Sequence, residues 1–229
     1  MNDRKTDYGR YVSEIPEEVT NIPESDTGEK DKSDVQITKE KVLELIRAGR
    51  RAGYRYAADN LEHWLTGKGQ KLVMPASAFT AEQFFIRHLL DVHLPRFAGG
   101  VEKRLKSGVL ALGGSLQMTW AGLAVAPEDS QLWLALGGFN VASSVLVSVV
   151  ELPGDPTSAL IRFELWIVKC SDYYNWDKNK ETFVQLFGTV TDEEMIKLET
   201  AGIGQSYPIE SRPLDVLNEV GRTEVAVPR

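Results

Sequence analysis

The chain has a single cysteine and no long apolar run, and each shortage excludes a class of protein. Cys170 is the only cysteine among 229 residues, so the fold cannot depend on an internal disulfide or on an oxidising compartment. We expect Cys170 to be a buried, inert thiol, because it shares a strand face with Trp166 and Val168. The longest apolar tract, Val141 to Val150, contains three serines. It is shorter than the roughly 20 apolar residues of a membrane helix, so no transmembrane segment is expected.

Acidic residues outnumber basic ones, and most of the net negative charge lies at the N-terminal end. Residues 1–34 carry −5 of the net charge of −7. The near-neutral remainder has no basic stripe with which to neutralise phosphates, which argues against a nucleic-acid partner. Residues 1–36 have few large apolar side chains and include Pro16 and Pro23. They are therefore predicted to be a disordered acidic tail, either solubilising or acting as a docking or export segment.

The N-terminus lacks the basic, then apolar, then small-residue arrangement of a signal peptide. We therefore expect synthesis in the cytoplasm without a signal peptide and, if the protein acts at the cell envelope, export by a specialised route. The length fits one domain with an appendage. We predict a single α+β domain over 37–220, followed by a flexible C-terminus over 221–229.

Helical patterns occupy the first half of the domain. Apolar residues at helical spacing predict a long helix that begins after Thr38 and ends at Thr66-Gly67-Lys68-Gly69. The capping box Thr80-Ala-Glu-Gln83 predicts a second helix, which Pro95 should close. His88 and His93 are five apart, which on an α-helix places them on different faces. They are predicted to be structural histidines, since a zinc pair requires a spacing of three or four.

Strand patterns begin near Gly108. Leu116, Met118 and Trp120 alternate, and the run from Gln131 to Leu152 is rich in Val and Leu, with a bend or turn at Gly137-Gly138. A turn at 153–156, a strand over 159–174 and a short strand over 184–188 should follow. A second capping box, Thr191-Asp-Glu-Glu194, predicts a helix over 192–201, with loops after it. We therefore predict the α+β class, with N-terminal helices, an antiparallel β-meander (either open or barrel-like) and a short C-terminal helix.

The strand over 159–174 ends in a cluster of polar and aromatic side chains. Alternation places Arg162, Glu164, Asp172 and Tyr174 on the face of Trp166, and Asn175 and Asp177 follow where the chain must turn. Two carboxylates, an amide and a phenol at a sheet edge could hold Mg²⁺, which prefers oxygen ligands, or supply a general base. The same residues could instead form an Asx-type turn held by aromatic packing, with Lys178 and Lys180 as solvated partners.

Several stretches resemble a family of poorly characterised bacterial domains that end secreted or polymorphic-toxin-like proteins. The pattern consists of Leu132-Trp-Leu-Ala-Leu-Gly-Gly-Phe139 and, after a strand, Asp172-Tyr-Tyr-Asn-Trp-Asp177. The other matching stretches are Asn60-Leu-x-x-Trp-Leu-x-Gly-x-Gly69, Lys180, Thr191-Asp-Glu-Glu-Met195 and Ala201-Gly-Ile-Gly204. The resemblance spans roughly residues 57–207 and implies a toxin-like domain.

A glycine-bent strand, another strand and then Asp-x-Tyr-Asn-aromatic is similar to the catalytic half of colicin M-like bacteriocins. That family cleaves lipid II, the lipid-linked peptidoglycan precursor, between the polyprenyl carrier and the pyrophosphate, with Mg²⁺. Two departures are visible. Asn175 stands where the family has a second Asp, and the chain reads Lys180-Glu181-Thr182-Phe183 where a His-Arg pair is expected.

The colicin M resemblance implies an antibacterial effector acting at the cell envelope, as a Mg²⁺-dependent phosphodiesterase and hence a hydrolase. Asp172 would be a metal ligand or base, Asn175 and Asp177 would position metal or water, with Asp177 the second metal ligand, and Tyr174 would orient the phosphate. The residues implied in substrate binding are Tyr173, Trp176, Lys178 and Lys180. A cognate immunity protein or secretion partner would accompany such a toxin.

The main alternative is a non-catalytic interaction module of a secretion or bacterial-competition system. In that case the acidic tail and the aromatic side chains Trp133, Tyr173 and Trp176 would form the contact surface. A third interpretation gives the cluster a purely structural role. The alternatives differ in whether Asp172, Asn175 and Asp177 converge in a cleft that solvent reaches or are consumed by backbone hydrogen bonds.

Overall fold

Helices precede the sheet along the chain in the computed structural model, which describes residues 29–127, 130–176, 190–221 and 223–229. The helices are α1 Glu29–Arg51, α2 Arg55–Thr66, α3 Ser77–Thr80, α4 Gln83–His88, α5 Leu94–Lys106, α6 Gln131–Ala135, α7 Asp192–Thr200 and α8 Val216–Val220, with a π-helical segment Leu89–His93 between α4 and α5. The strands are β1 Leu72–Met74, β2 Ser115–Val125, β3 Gly138–Leu152, β4 Asp155–Tyr174, β5 Tyr207–Ser211, β6 Leu214–Asp215 and β7 Glu224–Pro228.

The described strands form one mixed, mostly antiparallel sheet. β2, β3 and β4 are an antiparallel meander, β5 continues it antiparallel to β4, and β1 lies parallel to β5. The short strands β6 and β7 also pair with β4. Of these strands, β1 and β2 lie at the two ends of the order, so the described sheet is open and not a closed barrel. The predicted α+β class, with its meander and short C-terminal helix, is confirmed.

A β-bulge in β4 reverses which residues face the core. Leu146 of β3 pairs with Leu165, whereas Val147 pairs with Phe163, so Glu164 is an extra residue in β4. Before the bulge the odd-numbered residues are buried, and from Trp166 onward the even-numbered ones are. The sequence prediction that Arg162 and Glu164 share a face with Trp166 is therefore wrong. The prediction holds beyond Trp166, where Asp172 and Tyr174 project to the core-facing side.

The predicted long helix is divided into two. α1 begins at Glu29, N-terminal to the predicted start, and Thr38 lies inside it, where its hydroxyl donates to the Asp34 carbonyl. Gly53 has a left-handed φ of 88°, which ends α1 and lets α2 turn back. α2 returns close to Gly49, where a Cβ would lie 3.5 Å from the Ala58 Cβ, an ordinary van der Waals distance, so this approach does not require glycine.

The second helical region also departs from the prediction. Thr80 ends α3 instead of capping a helix, and α4 begins after Glu82 without a side-chain cap. Pro95 does not close the region, because it lies in the first turn of α5, where its missing N–H costs little. In the π-helical segment that precedes α5, residues five apart in sequence are separated by roughly one helical turn.

Two further corrections concern the strands. Gln131–Ala135 is the helix α6, capped by Ser130, and not part of a long strand; Gly137, with a φ of 66°, joins it to β3. Where loops were predicted after α7, the structure has β5, β6, α8 and β7. β7 lies within the segment predicted as a flexible C-terminus and pairs with β4 from Ser158 to Arg162. The predicted strand over 184–188 lies outside the described residues.

The core fills the space between the helices and one face of the sheet. Its largest fully buried side chains are Trp64, Trp166, Tyr207, Phe79, Phe85, Phe139 and Phe163. The α7 capping box is confirmed, because Thr191 and Glu194 exchange side-chain and backbone hydrogen bonds. In the described part of the chain, no helix combines the length and the apolar character needed to cross a bilayer.

Candidate functional site

The C-terminal end of β4 lies between two strands. Ser171 pairs with Asn140 of β3 on one side and with Glu210 of β5 on the other. Beyond Ser171 the partner is β5 alone, with Asp172 opposite Ile209 and Tyr174 opposite Tyr207. The last three residues of β4 therefore pair with β5 alone, at the point where the chain leaves the sheet.

Four aromatic side chains, Trp64, Tyr174, Trp176 and Tyr207, pack together at this end; we call them the aromatic cluster. Tyr174 stacks on Tyr207 with ring centroids 5.1 Å apart. Trp176 meets Tyr174 edge-on at 5.8 Å and Trp64 edge-on at 6.1 Å. Trp64 and Tyr207 are fully buried. Edge-to-face and offset contacts of this kind are each worth about 0.5–1.5 kcal/mol beyond area burial.

The polar atoms of Trp64 and Tyr207 are tied to α2 and α7, whereas the buried indole N–H of Trp176 makes no hydrogen bond among the described residues. The Tyr207 hydroxyl donates to the Asn60 carbonyl at 2.7 Å. The Trp64 indole N–H donates to Glu199 Oε1 at 2.8 Å, and the Ser206 hydroxyl donates to the same oxygen. Since buried polar groups are costly when unpaired, these bonds fix how α2 and α7 lie against the end of β4.

The stretches that carry the family resemblance meet at this point. Gly204 lies flat against the Trp64 indole, where a Cβ would overlap the ring, and the Gln205 N–H donates to the Trp64 carbonyl at 2.9 Å. One turn before Trp64 on the same face of α2, the Asn60 amide donates to the Ala135 carbonyl of α6 at 3.0 Å. α2 is thus joined to three segments that are distant from it in sequence: α6, the end of β4 and the loop after α7.

Asp172 brings negative charge to the aromatic cluster. Its side chain is half-buried on the core-facing side of β4. Burial raises the pKa of the Tyr207 phenol, and the charges of Tyr174 and Asp172 raise it further. Burial likewise raises the pKa of Tyr174. Both phenols are therefore protonated at neutral pH, so Tyr174 can donate a hydrogen bond to an anionic group but cannot act as a base.

A groove of about 580 Å³ opens between α2 and the loop after α7, beside Tyr173. Its walls include Lys68, Tyr173, Glu199, Gln205 and Ser206. Tyr173 is 56% exposed on the opposite face of β4 from Asp172. The groove offers an aromatic surface, one cation and several hydrogen-bonding groups, which suits a polar ligand with an anionic part.

The predicted site residues therefore divide into three sets. Asp172 and Tyr174 lie together at the cluster, and Trp176 is half-buried within it. Tyr173 and Asn175 are exposed. Asp177, Lys178 and Lys180 lie outside the described residues, so their predicted roles as metal ligand and substrate contacts remain predictions.

The described residues do not by themselves make a divalent-cation site. Among them, no group of three or more His, Cys, Asp or Glu side chains is placed to hold a metal ion. Asp172 supplies one carboxylate and Asn175 one amide, whereas Mg²⁺ is usually bound through one or two carboxylates together with water and substrate oxygens. The predicted second carboxylate is that of Asp177.

The sequence prediction missed Tyr207 and Glu199 as parts of the site. Tyr207 follows Gly204 closely, and a strand after the matched Ala201-Gly-Ile-Gly204 stretch would have placed it beside Tyr174. His63 also contacts the site: its ring meets Tyr207 edge-on at 4.5 Å, and its Nε2 bonds the Gln70 carbonyl at 2.7 Å. Cys170 is buried as predicted, and burial raises its thiol pKa to about 12.

No protein-family model matches the chain, and no curated protein matches it. Among solved structures, it is similar to PaeM, a colicin M-like bacteriocin produced by Pseudomonas aeruginosa, with 16% identity and a TM-score of 0.39 over 76% of this chain and 51% of that one. It is also similar to the bacteriocin syringacin M from Pseudomonas syringae pv. tomato DC3000, with 18% identity and a TM-score of 0.41 over 76% and 52%.

The chain thus spans about half the length of these bacteriocins. The likeness to these colicin M-like bacteriocins is distant.

Proposed function

We propose that this chain is an antibacterial toxin domain that acts at the cell envelope, as a phosphodiesterase on a lipid-linked peptidoglycan precursor. One observation carries the proposal. Described residues of four of the stretches that resemble toxin-like bacterial domains, at 60–69, 132–139, 172–176 and 201–204, meet around α2 at the end of β4, with Asp172 beside the neutral phenols of Tyr174 and Tyr207.

The chemistry that this arrangement supports is the attack of water on a phosphate ester. Asp172 is the base that takes a proton from the attacking water, because it is the carboxylate that the described part of the strand end presents on the core-facing side. Tyr174, neutral and half-buried, donates a hydrogen bond to a phosphate oxygen. The groove beside Tyr173 lies on the opposite face of β4 and is lined by neither Asp172 nor Tyr174, so it would hold a part of the substrate remote from the reacting phosphate.

The predicted roles of Asp177, Lys178 and Lys180 complete the proposal. Asp177 would add the second carboxylate, and the lysines would offset phosphate charge. When Mg²⁺ is bound, it polarises the phosphoryl oxygens. We expect an added chelator to abolish the phosphodiesterase activity and added Mg²⁺ to restore it.

Asp172→Asn provides the test, with Glu164→Gln as the matched control. Both residues lie on β4, but Glu164 is exposed at the bulge and bonded to Ser148. Purified protein is incubated with lipid II in detergent, and release of the water-soluble pyrophosphoryl product is measured. We expect Asp172→Asn to lose at least about 100-fold in rate, as general bases contribute 10²–10⁴-fold. Equal rates in the two variants would contradict the proposal.

One observation favours a non-catalytic interaction module as the second candidate. Tyr173 is 56% exposed and Trp133 36% exposed, whereas Trp176 is half-buried within the aromatic cluster. Exposed aromatic side chains are common anchors of protein interfaces. This candidate predicts that Tyr173→Ala weakens capture of an immunity or secretion partner while Asp172→Asn leaves capture unchanged. Loss of capture in Asp172→Asn alone would count against it.

A further inference from the structure

The π-helical segment Leu89–His93 brings together two histidines that an α-helix would separate. In a π-helix, residues five apart are roughly one turn apart, so His88 and His93 face the same side. Their ring centroids are 5.3 Å apart, with the rings inclined at 66°. π-Helical turns are rare and occur frequently at functional sites. This pair lies outside the site at the end of β4.

His93 is the deeper member and is held by the sheet. It is fully buried, and its Nδ1 lies 2.7 Å from the Ser143 hydroxyl of β3. The Trp166 indole N–H donates to the same hydroxyl oxygen at 3.2 Å. The Trp120 ring of β2 meets the His93 ring edge-on, with centroids 4.2 Å apart. Three neighbouring strands therefore fix the position of this imidazole.

The outer nitrogens of the pair are left without partners. Within the described residues, Nε2 of His88 and Nε2 of His93 are buried and make no hydrogen bond. If the Ser143 hydroxyl donates to His93 Nδ1, then His93 Nε2 carries the proton of the neutral ring. Protonation of the His93 ring is therefore unfavourable. The charged ring would be buried away from water, and its hydrogen-bonded partner among the described residues is a neutral hydroxyl.

The pair does not make a metal centre by itself. A structural zinc ion takes four protein ligands and a catalytic one takes three. The described residues contain no group of three or more His, Cys, Asp and Glu that could hold an ion. The chemistry open to the pair is therefore the gain and loss of protons.

Burial is the main effect that opposes protonation of the pair. The elements packed on the pair present Trp120, Ser143 and Trp166 from the sheet, and Arg96 of α5 lies over the Trp120 ring, 5.2 Å from its centroid. On the helical side, Arg87 and Asp91 are exposed. Burial, and then the charge of His88, lowers the pKa of His93 to about 4, and burial lowers the pKa of His88.

We propose that the His88–His93 pair is an acid-sensitive latch, which holds α4, the π-helical segment and α5 on the sheet when neutral and releases them when protonated. The sign follows from linkage. In the released state His93 has its ordinary pKa of 6.5, whereas in the packed state it titrates near 4. The latch is therefore intact above pH 6.5, weakens as the pH falls towards 4, and weakens no further through His93 below that.

Amide hydrogen exchange measures the release directly. We expect protection of the amides over 83–106, corrected for intrinsic rates, to fall roughly 20- to 30-fold between pH 7 and pH 5 in the wild-type protein. The fall should disappear in the double variant His88→Gln, His93→Asn, and persist in His63→Gln, which changes the third and last histidine of the chain. The helical amides should also exchange before those of β3 and β4.

An equal fall in the double variant would overturn the proposal, as would exchange of the helical amides only together with β3 and β4. If the double variant does not fold, nuclear magnetic resonance titration of the wild-type imidazoles decides. A His93 ring titrating near pH 4 supports the latch. A His93 ring titrating near its ordinary pKa of 6.5 while the protein stays folded overturns it.

Discussion

At the residue scale, the site depends on one glycine that admits a tryptophan. Gly204 is buried against the indole of Trp64, which is itself fully buried. The sequence indicated the importance of this position only through the pattern of the matched stretches. The sequence could not show why position 204 requires glycine. The Trp64 ring of α2 occupies the space that a side chain would need, and this contact joins residues far apart in the chain.

Gly204→Ala should destabilise the protein by about 1–3 kcal/mol, because the added Cβ overlaps a ring that has nowhere to move. The free energy of unfolding in urea measures this. The matched control is Gly99→Ala in the middle of α5, where a Cβ would meet nothing within 4 Å. It should stabilise by about 0.5–1 kcal/mol. Changes of the same sign in both variants would contradict the packing described here.

Cys170 should be chemically silent in the folded protein. It is 3% exposed, and burial raises the pKa of its thiol to about 12. The reactive thiolate is therefore scarce at pH 8. An aromatic disulfide reagent should label no thiol in the native protein at pH 8 and one thiol in denaturant. Rapid labelling of the native protein would show that the β4 face at Cys170 is open.

At the element scale, β4 shows what periodicity can and cannot predict. The alternation of large apolar residues from Trp166 onward correctly predicted that Asp172 and Tyr174 share the buried face. The bulge at Glu164 carries no local signal such as glycine, because it is set by the register with β3. The π-helical segment was missed for a similar reason, since its hydrogen bonding depends on how His93 packs on the sheet.

Deleting Glu164 should be tolerated, because it removes only the extra residue of the bulge. The pairs Val147–Phe163 and Leu146–Leu165 would then follow one another in a regular ladder, with Phe163 and Trp166 still facing the core. We expect a loss of about 0.5–3 kcal/mol in the free energy of unfolding, since no core side chain changes face. Far-ultraviolet circular dichroism and urea unfolding check this.

The control for the deletion is Glu164→Ala, which keeps the bulge and removes an exposed carboxylate bonded to Ser148. We expect it to change the free energy of unfolding by no more than about 0.5–1 kcal/mol. An unfolded deletion variant would mean that Trp166 and the residues beyond it change face when Glu164 is removed, which would contradict the bulge described here.

At the scale of the whole molecule, the fold class could be predicted because helical and strand patterns occupy separate halves of the chain. In the meander β2–β3–β4 a short turn joins β3 to β4, whereas β2 and β3 are joined through α6. The parallel pairing of β1 with β5 could not be predicted, since Leu72 and Ile209 are joined only by the tertiary structure. The same long-range closure brings α2 and α7 to the end of β4, which creates the candidate site.

The central claim is that Asp172 makes this domain toxic at the cell envelope. The most direct measurement is growth of a bacterial host that expresses the chain either in the cytoplasm or directed to the periplasm, with Asp172→Asn and Glu164→Gln compared in each. The account predicts lysis with the periplasmic wild type and Glu164→Gln, and normal growth with periplasmic Asp172→Asn at equal protein levels. Lysis by all three periplasmic forms, or normal growth with the wild type in both compartments, would contradict it.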